Sequence, residues 1–281
     1  MIEEKIKTLS DINQLLETLK LVYKDDETTC DLESHITRLR KSIRELGFVD
    51  IGDIEKLKES VLKFNPQCDH FKQQETSTDE SLLSVNAGLR NERNEVFSDF
   101  GTGSNNRSLL HNLYSTIIRL SIKLLLCKGN KQLYRVRILY NRNGSYEVQH
   151  IPYAEEDIPK IIKLKILDYN TYHINSSNPI HKYKYLPRTD FSEYLKDCDE
   201  VLWLNERHEI CEGSKASIFF FDGMQWHTPS LKCGILPSIT RERLIKKYNA
   251  KEGFYKIDDL LKAKKIIRTS AVIGERECIL V

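Results

Sequence analysis

From Leu32 onward the apolar residues Leu32, Ile36, Leu39, Ile43 and Leu46 recur every three to four positions, and Gly47 follows where a left-handed cap closes a helix. The spacing predicts one amphipathic helix there. It predicts a second from about Asp53 to Phe64, with Ile54, Leu57, Val61 and Leu62 on one side and Pro66 as its stop. Apolar positions then thin out, and the runs Gln-Gln-Glu-Thr-Ser-Thr-Asp-Glu and Gly-Thr-Gly-Ser-Asn-Asn predict a flexible insertion over residues 67–107. The chain resumes with an apolar helix from about Ser108 to Cys127. Next comes Leu133 to Tyr140, where arginines alternate with apolar residues as in a half-buried strand. Asn143-Gly144 is a tight-turn signal, so Tyr146 to Ile151 is expected to pair back as a hairpin.

After Pro152 the texture changes to short apolar runs. Strands are predicted at Lys163 to Leu167, Val201 to Asn205, Ser217 to Phe221, Gln225 to Thr228 and Lys265 to Ser270, with a last one near Ile279. Helices are predicted over Arg241 to Tyr248 and Ile257 to Lys264. Strands and helices mix in both halves, which implies an α/β or α+β fold in two domains. The expected division is a small domain over 1–152 that carries the insertion, a linker over 153–160 and a larger domain over 161–281.

Charge narrows the function classes. Among 281 residues, 43 basic and 41 acidic side chains nearly cancel, and neither sign gathers into a block that would draw nucleic acid or an anionic membrane surface. No apolar run reaches the roughly 18 residues of a membrane span, and the charged start Met1-Ile2-Glu3-Glu4-Lys5 lacks a secretory core. A cytoplasmic protein without a membrane or nucleic-acid partner is expected. The seven cysteines are scattered, with no C-x-x-C pair, so neither a disulfide framework nor a metal site is expected.

One stretch carries chemistry. Glu200-Val-Leu-Trp-Leu-Asn-Glu-Arg-His-Glu-Ile-Cys-Glu-Gly-Ser is followed by Ser217-Ile-Phe-Phe-Phe, Thr228-Pro229 and Cys233-Gly-Ile-Leu-Pro-Ser-Ile-Thr-Arg241. Ordered and spaced this way, it resembles the class IV aminotransferases, and within that superfamily it is most similar to the aminodeoxychorismate lyases. Ser217 and Ser238 depart from the family's usual Asn and Gly. The resemblance implies a two-domain fold type IV enzyme with a small α/β domain and a large pseudo-barrel domain, working with pyridoxal 5'-phosphate as a homodimer. Such a cofactor needs a lysine to hold it, an acid facing its pyridine nitrogen and anchors for its phosphate.

The resemblance assigns these parts residue by residue. Glu212 corresponds to the acid at the pyridine nitrogen, and Leu236 belongs to the same cofactor-binding segment. Ile239 and Thr240, at the start of a predicted helix, offer backbone N–H groups to the phosphate. Thr269 and Ser270, ending a predicted strand, match a second phosphate-contacting segment. Upstream, Leu15-Leu-Glu-Thr-Leu-Lys20 and His35-Ile-Thr-Arg-Leu39 resemble the small-domain opening of these lyases, so that Arg38 corresponds to the phosphate-binding arginine. Two lysines compete in Asn178-Pro-Ile-His-Lys-Tyr-Lys-Tyr-Leu-Pro-Arg188. A His-Lys dipeptide favours Lys182. The lyase pattern places an arginine four residues after the lysine and a proline about five before it, which selects Lys184 through Arg188 and Pro179. Thr18 matches a threonine near the reacting centre and is a second catalytic candidate.

The implied activity is elimination of pyruvate from 4-amino-4-deoxychorismate to give 4-aminobenzoate, a step of folate synthesis. The length of the insertion resembles that of fungal stand-alone lyases. Two alternatives stand beside it: a transaminase of branched-chain or D-amino acids, and a homologue that has lost catalysis and serves as a binding subunit, suggested by the departures at Ser217 and Ser238 and by an interval from Lys184 to Glu212 a few residues short for the family.

Overall fold

The structure is a computed structural model and describes residues 8–24, 27–63 and 131–281. The described residues up to Val61 and those from Gln132 to Val281 together form one compact unit. The predicted insertion over 67–107 and the predicted helix from Ser108 to Cys127 lie outside the described residues.

The first sheet is built on β1 (Gln14–Lys24), flanked by β2 (Glu27–Cys30). The helices α1 (Leu32–Leu46) and α2 (Ile54–Leu62) follow, then β3 (Gln132–Asn141) and β4 (Tyr146–Tyr153). β3 pairs antiparallel with β1 along its whole length, and β4 pairs with β3 as the Asn143-Gly144 turn requires. Gly144 takes φ 87° there, a conformation glycine adopts without a Cβ penalty. α1 buries Leu32, Ile36, Leu39 and Ile43, the face read from the sequence. Gly47 closes it at φ 65°, with the Phe48 N–H bonded to the Ile43 carbonyl. α1 packs on the β1 face that buries Leu15, Glu17, Leu19 and Leu21.

The second sheet has nine strands. They are β5 (Ile161–Ile166), β6 (His173–Ile174), β8 (Glu200–Asn205), β9 (Ile210–Gly213), β10 (Ser217–Phe221), β11 (Trp226–Pro229), β12 (Lys251–Gly253), β13 (Lys265–Ser270) and β14 (Gly274–Leu280). Their order is β12-β11-β10-β13-β14-β5-β8-β6, with β9 paired to β8. Helices α3 (Ile239–Tyr248) and α4 (Ile257–Leu261) complete it. α3 begins two residues earlier than its apolar pattern predicts, because Ser238 caps it: its Oγ accepts the Arg241 N–H at 3.4 Å.

Between β6 and β8 the chain leaves the second sheet, adds the two-residue strand β7 (Tyr185–Leu186) to the edge of β1, and returns. β2 and β7 occupy opposite ends of that same edge. This crossing carries both candidate lysines. The return to β8 contains only a 3₁₀ turn at Tyr194–Lys196, which accommodates the short interval between Lys184 and Glu212.

Candidate active site

Neither Lys182 nor Lys184 lies in a strand. Lys182 ends a 3₁₀ turn over Pro179–Lys182 and is exposed. Lys184 precedes β7, is partly buried, and its carbonyl accepts the Leu16 N–H of β1 at 2.8 Å. Burial lowers the Lys184 ammonium; Glu17 pulls it back up, while Arg38, Arg188 and Arg137 push it down again, leaving it at about 7. An amine in that range is substantially neutral near pH 7 and so available as a nucleophile and base.

Arg38 belongs to a buried network that the sequence reading did not anticipate. Its Nε and Nη2 donate to the two oxygens of Glu17 at 2.8 and 2.6 Å, and His35 Nδ1 lies 2.8 Å from Oε2. Burial alone would raise the Glu17 carboxyl, but the Arg38 charge and the hydrogen bonds from His35 and Arg38 hold it down at about 2. Arg38 Nη1 reaches the Pro237 carbonyl at 3.4 Å, one residue before the cap of α3. A signal for Glu17 was present: it is an acid among Leu15, Leu16 and Leu19. His35 likewise lies on the apolar stripe of α1 beside Leu32, Ile36 and Leu39.

Ile239 and Thr240 form the first turn of α3, where N–H groups lack helical partners and the helix dipole favours an anion. Ser238 Oγ and Thr240 Oγ1 lie 3.0 Å apart. A cleft of ≈ 470 Å³ joins Lys20 and His35 of the first sheet and α1 to Thr240, Arg243 and Ala271, the residue following Ser270. Ser270 Oγ accepts the Ile273 N–H at 3.3 Å. Thr269 is fully buried opposite Ser217, whose Oγ has no hydrogen-bond partner among the described residues.

Glu212 lies on β9 and is partly buried, with Oε1 accepting the Leu236 N–H at 3.1 Å. Burial raises its carboxyl; the Leu236 hydrogen bond, Arg188 and Arg241 lower it and Glu200 raises it, with the balance at about 7. Arg188 Nη2 donates to the Ser214 carbonyl at 3.5 Å. Behind this strand Glu200 is buried, paired with Arg268 at 3.0 Å and accepting from Ser214 Oγ at 2.5 Å. Thr18 stands on β1 opposite Arg137 and is not hydrogen-bonded to Lys184.

The Arg188 charge acts on both the Lys184 amine and the Glu212 carboxyl, and Arg38 reaches the residue before the capped start of α3. A family model for class IV amino-transferases matches residues 104–279. The chain belongs to the class IV aminotransferases. A Thermotoga maritima protein assigned as a branched-chain-amino-acid aminotransferase is 31% identical over 120 residues, which are 41% of this chain and 43% of that protein. A crystal structure from Mesorhizobium loti, assigned as an amino-acid aminotransferase, superposes at TM-score 0.63 with 24% identity, covering 95% of this chain and 99% of that one. Another from Legionella pneumophila, assigned as a 4-amino-4-deoxychorismate lyase, gives 0.61 and 15% identity over 100% and 87% of the two chains. These structural likenesses show the fold.

Enzymes of this family bind pyridoxal phosphate. The donor set fits that group. Lys184 is an amine that burial and neighbouring cations bring to about 7, Glu212 is an acid that would face a ring nitrogen, and the start of α3, whose preceding Pro237 carbonyl Arg38 reaches, would face a phosphate. Among the described residues, no helix is long and apolar enough to cross a membrane.

Proposed function

We propose that this class IV enzyme is a 4-amino-4-deoxychorismate lyase, with Lys184 as its cofactor lysine and general base. The supporting observation is the edge of β1. The strand whose Leu16 N–H bonds the Lys184 carbonyl also carries Thr18, which faces Arg137 of β3, and the Arg137 charge in turn lowers the Lys184 amine. The Lys184-to-Arg188 segment and the Thr18 context add the sequence resemblance. Pyridoxal phosphate, when bound, supplies an electron sink for the pair left by proton removal.

The residues of the chain do the rest. Lys184 Nζ takes the proton from the amino-bearing carbon of the substrate. The adjacent carbon–oxygen bond breaks, the enolpyruvyl group leaves as pyruvate, and the ring becomes aromatic. The Thr18 hydroxyl relays to the departing group the proton that Lys184 has taken up, so both side chains end as they began. Glu212 keeps the ring nitrogen of the cofactor protonated. Arg38, steered by Glu17, holds the phosphate together with Ile239, Thr240 and Ser270, and Thr269 backs that segment from inside the sheet.

The 31% identity to the Thermotoga protein supports a second reading, branched-chain transamination. Purified protein incubated with aminodeoxychorismate separates them. The lyase reading expects equal amounts of 4-aminobenzoate and pyruvate; amino transfer from leucine to 2-oxoglutarate, with no 4-aminobenzoate formed, contradicts it.

A further inference from the structure

Beneath Glu212 lies a small cavity of ≈ 40 Å³ whose wall includes His181, Arg188, Trp203 and Glu212. Trp203 is only 6% exposed, and its ring is fixed by Phe191 stacked at 5.1 Å and Tyr172 edge-on at 5.6 Å. Yet Trp203 Nε1 and His181 Nε2 are both buried, and neither has a hydrogen-bond partner among the described residues. Buried ring nitrogens are normally partnered, so two orphans on the wall of one cavity call for a common partner.

Their valences define what that partner is. An indole nitrogen only donates. The other ring nitrogen of His181 bonds the backbone of Asn175 and so carries the proton, which leaves Nε2 as an acceptor. Burial and then the Arg188 charge push His181 down to about 4, so the ring is neutral at physiological pH. Glu212 Oε1 takes the Leu236 N–H, and Oε2 remains an acceptor. The residues that line the cavity therefore include one with a free donor and two with a free acceptor, and its volume suffices for water, which needs only about 10–15 Å³ and makes about three hydrogen bonds when buried.

We propose that an ordered water in this cavity accepts from Trp203 Nε1 and donates to His181 Nε2 and the Glu212 carboxylate, which makes His181 a positioning residue for that acid. The groups facing Glu212 are Arg188 and Arg241, which favour its charged form, and Glu200, which opposes it. The water adds a donor on the carboxylate, held in line by the imidazole. Its consequence for catalysis rests on Glu212 serving the ring nitrogen of the cofactor; the water itself does not.

The test uses the full-length chain with and without pyridoxal phosphate. The protein has two tryptophans, Trp203 and Trp226, so its two indole N–H resonances are assigned with a single Trp226→Phe variant. The Trp203 indole proton is expected to show magnetisation transfer to a bound water. His181→Leu is expected to move that resonance and to raise the Glu212 carboxyl midpoint, followed by carbon NMR, by about half a pH unit or more. His181→Gln, whose side-chain oxygen accepts as Nε2 does, is expected to restore both. A wild-type Trp203 indole without water contact overturns the proposal, whether or not His181→Leu folds. So does a His181→Leu protein in which both readouts stay at wild-type values. Because these signals are read without cofactor, a Glu212 carboxyl that ignores added pyridoxal phosphate would defeat its cofactor role and leave the water standing.

Discussion

Lys184 owes its neutral amine to a balance in which Glu17 is the one group that raises its pKa against burial and three arginines. Glu17→Gln is therefore expected to lower the Lys184 midpoint further, read in the cofactor-free protein as the pH dependence of reductive methylation at that residue. The same change leaves Arg38 without its paired carboxylate, and breaking a buried pair of this kind costs about 3–5 kcal/mol. A thermal melt checks that loss. The linkage has a definite sign: the folded-state pKa of Glu17 is held below its unfolded value. Its contribution is present above about pH 4.5 and disappears as pH falls toward about 2. Glu212 acts in the opposite direction, since its folded-state pKa is raised to about 7. Cofactor-free protein should lose stability as pH rises from about 4.5 to about 7, and Glu212→Gln should remove that slope. Denaturant unfolding across this window decides it, with an unchanged slope in the variant counting against the assignment.

At the level of elements, the site depends on how closely the loop before α3 approaches β9. Gly234 takes φ 86°, and a Cβ there would meet the Ser176 backbone at 2.7 Å. Gly234→Ala is expected to cost about 1–3 kcal/mol and to displace the Leu236 N–H from Glu212, weakening cofactor affinity measured by titration. Ser238→Ala removes the cap of α3 at about 1 kcal/mol and should lower phosphate affinity with it. Much of this architecture was legible in the sequence. The 3.6-residue stripe gave α1 with its glycine cap, and Asn143-Gly144 gave the β3–β4 hairpin. β1, the strand on which the site is built, was not readable by period. Its buried face carries the charged Glu17 between Leu15 and Leu19, and Leu16 is buried on the other face, so the apolar residues do not alternate cleanly. β7 was invisible for another reason: two residues carry no period, and only the tertiary pairing with Gln14 and Leu15 makes them a strand. The buried Glu17–His35–Arg38 cluster was half readable, since Glu17 and His35 sit at apolar positions that announce burial without naming the partner.

For the whole molecule, the chain's excursion from the second sheet sets the lysine on the edge of β1, while the acid and the helix start belong to the second sheet. The region 1–152, the linker 153–160 and the region 161–281 remain our proposed division into domains, and a homodimer is the expected assembly, checked by light scattering on purified protein. The measurement that tests the central claim most directly is borohydride reduction of the cofactor-loaded protein followed by peptide mass mapping. The account predicts one cofactor mass, on Lys184, and none in Lys184→Ala. A label on Lys182, or a Lys184→Ala protein that still traps the cofactor, would contradict it.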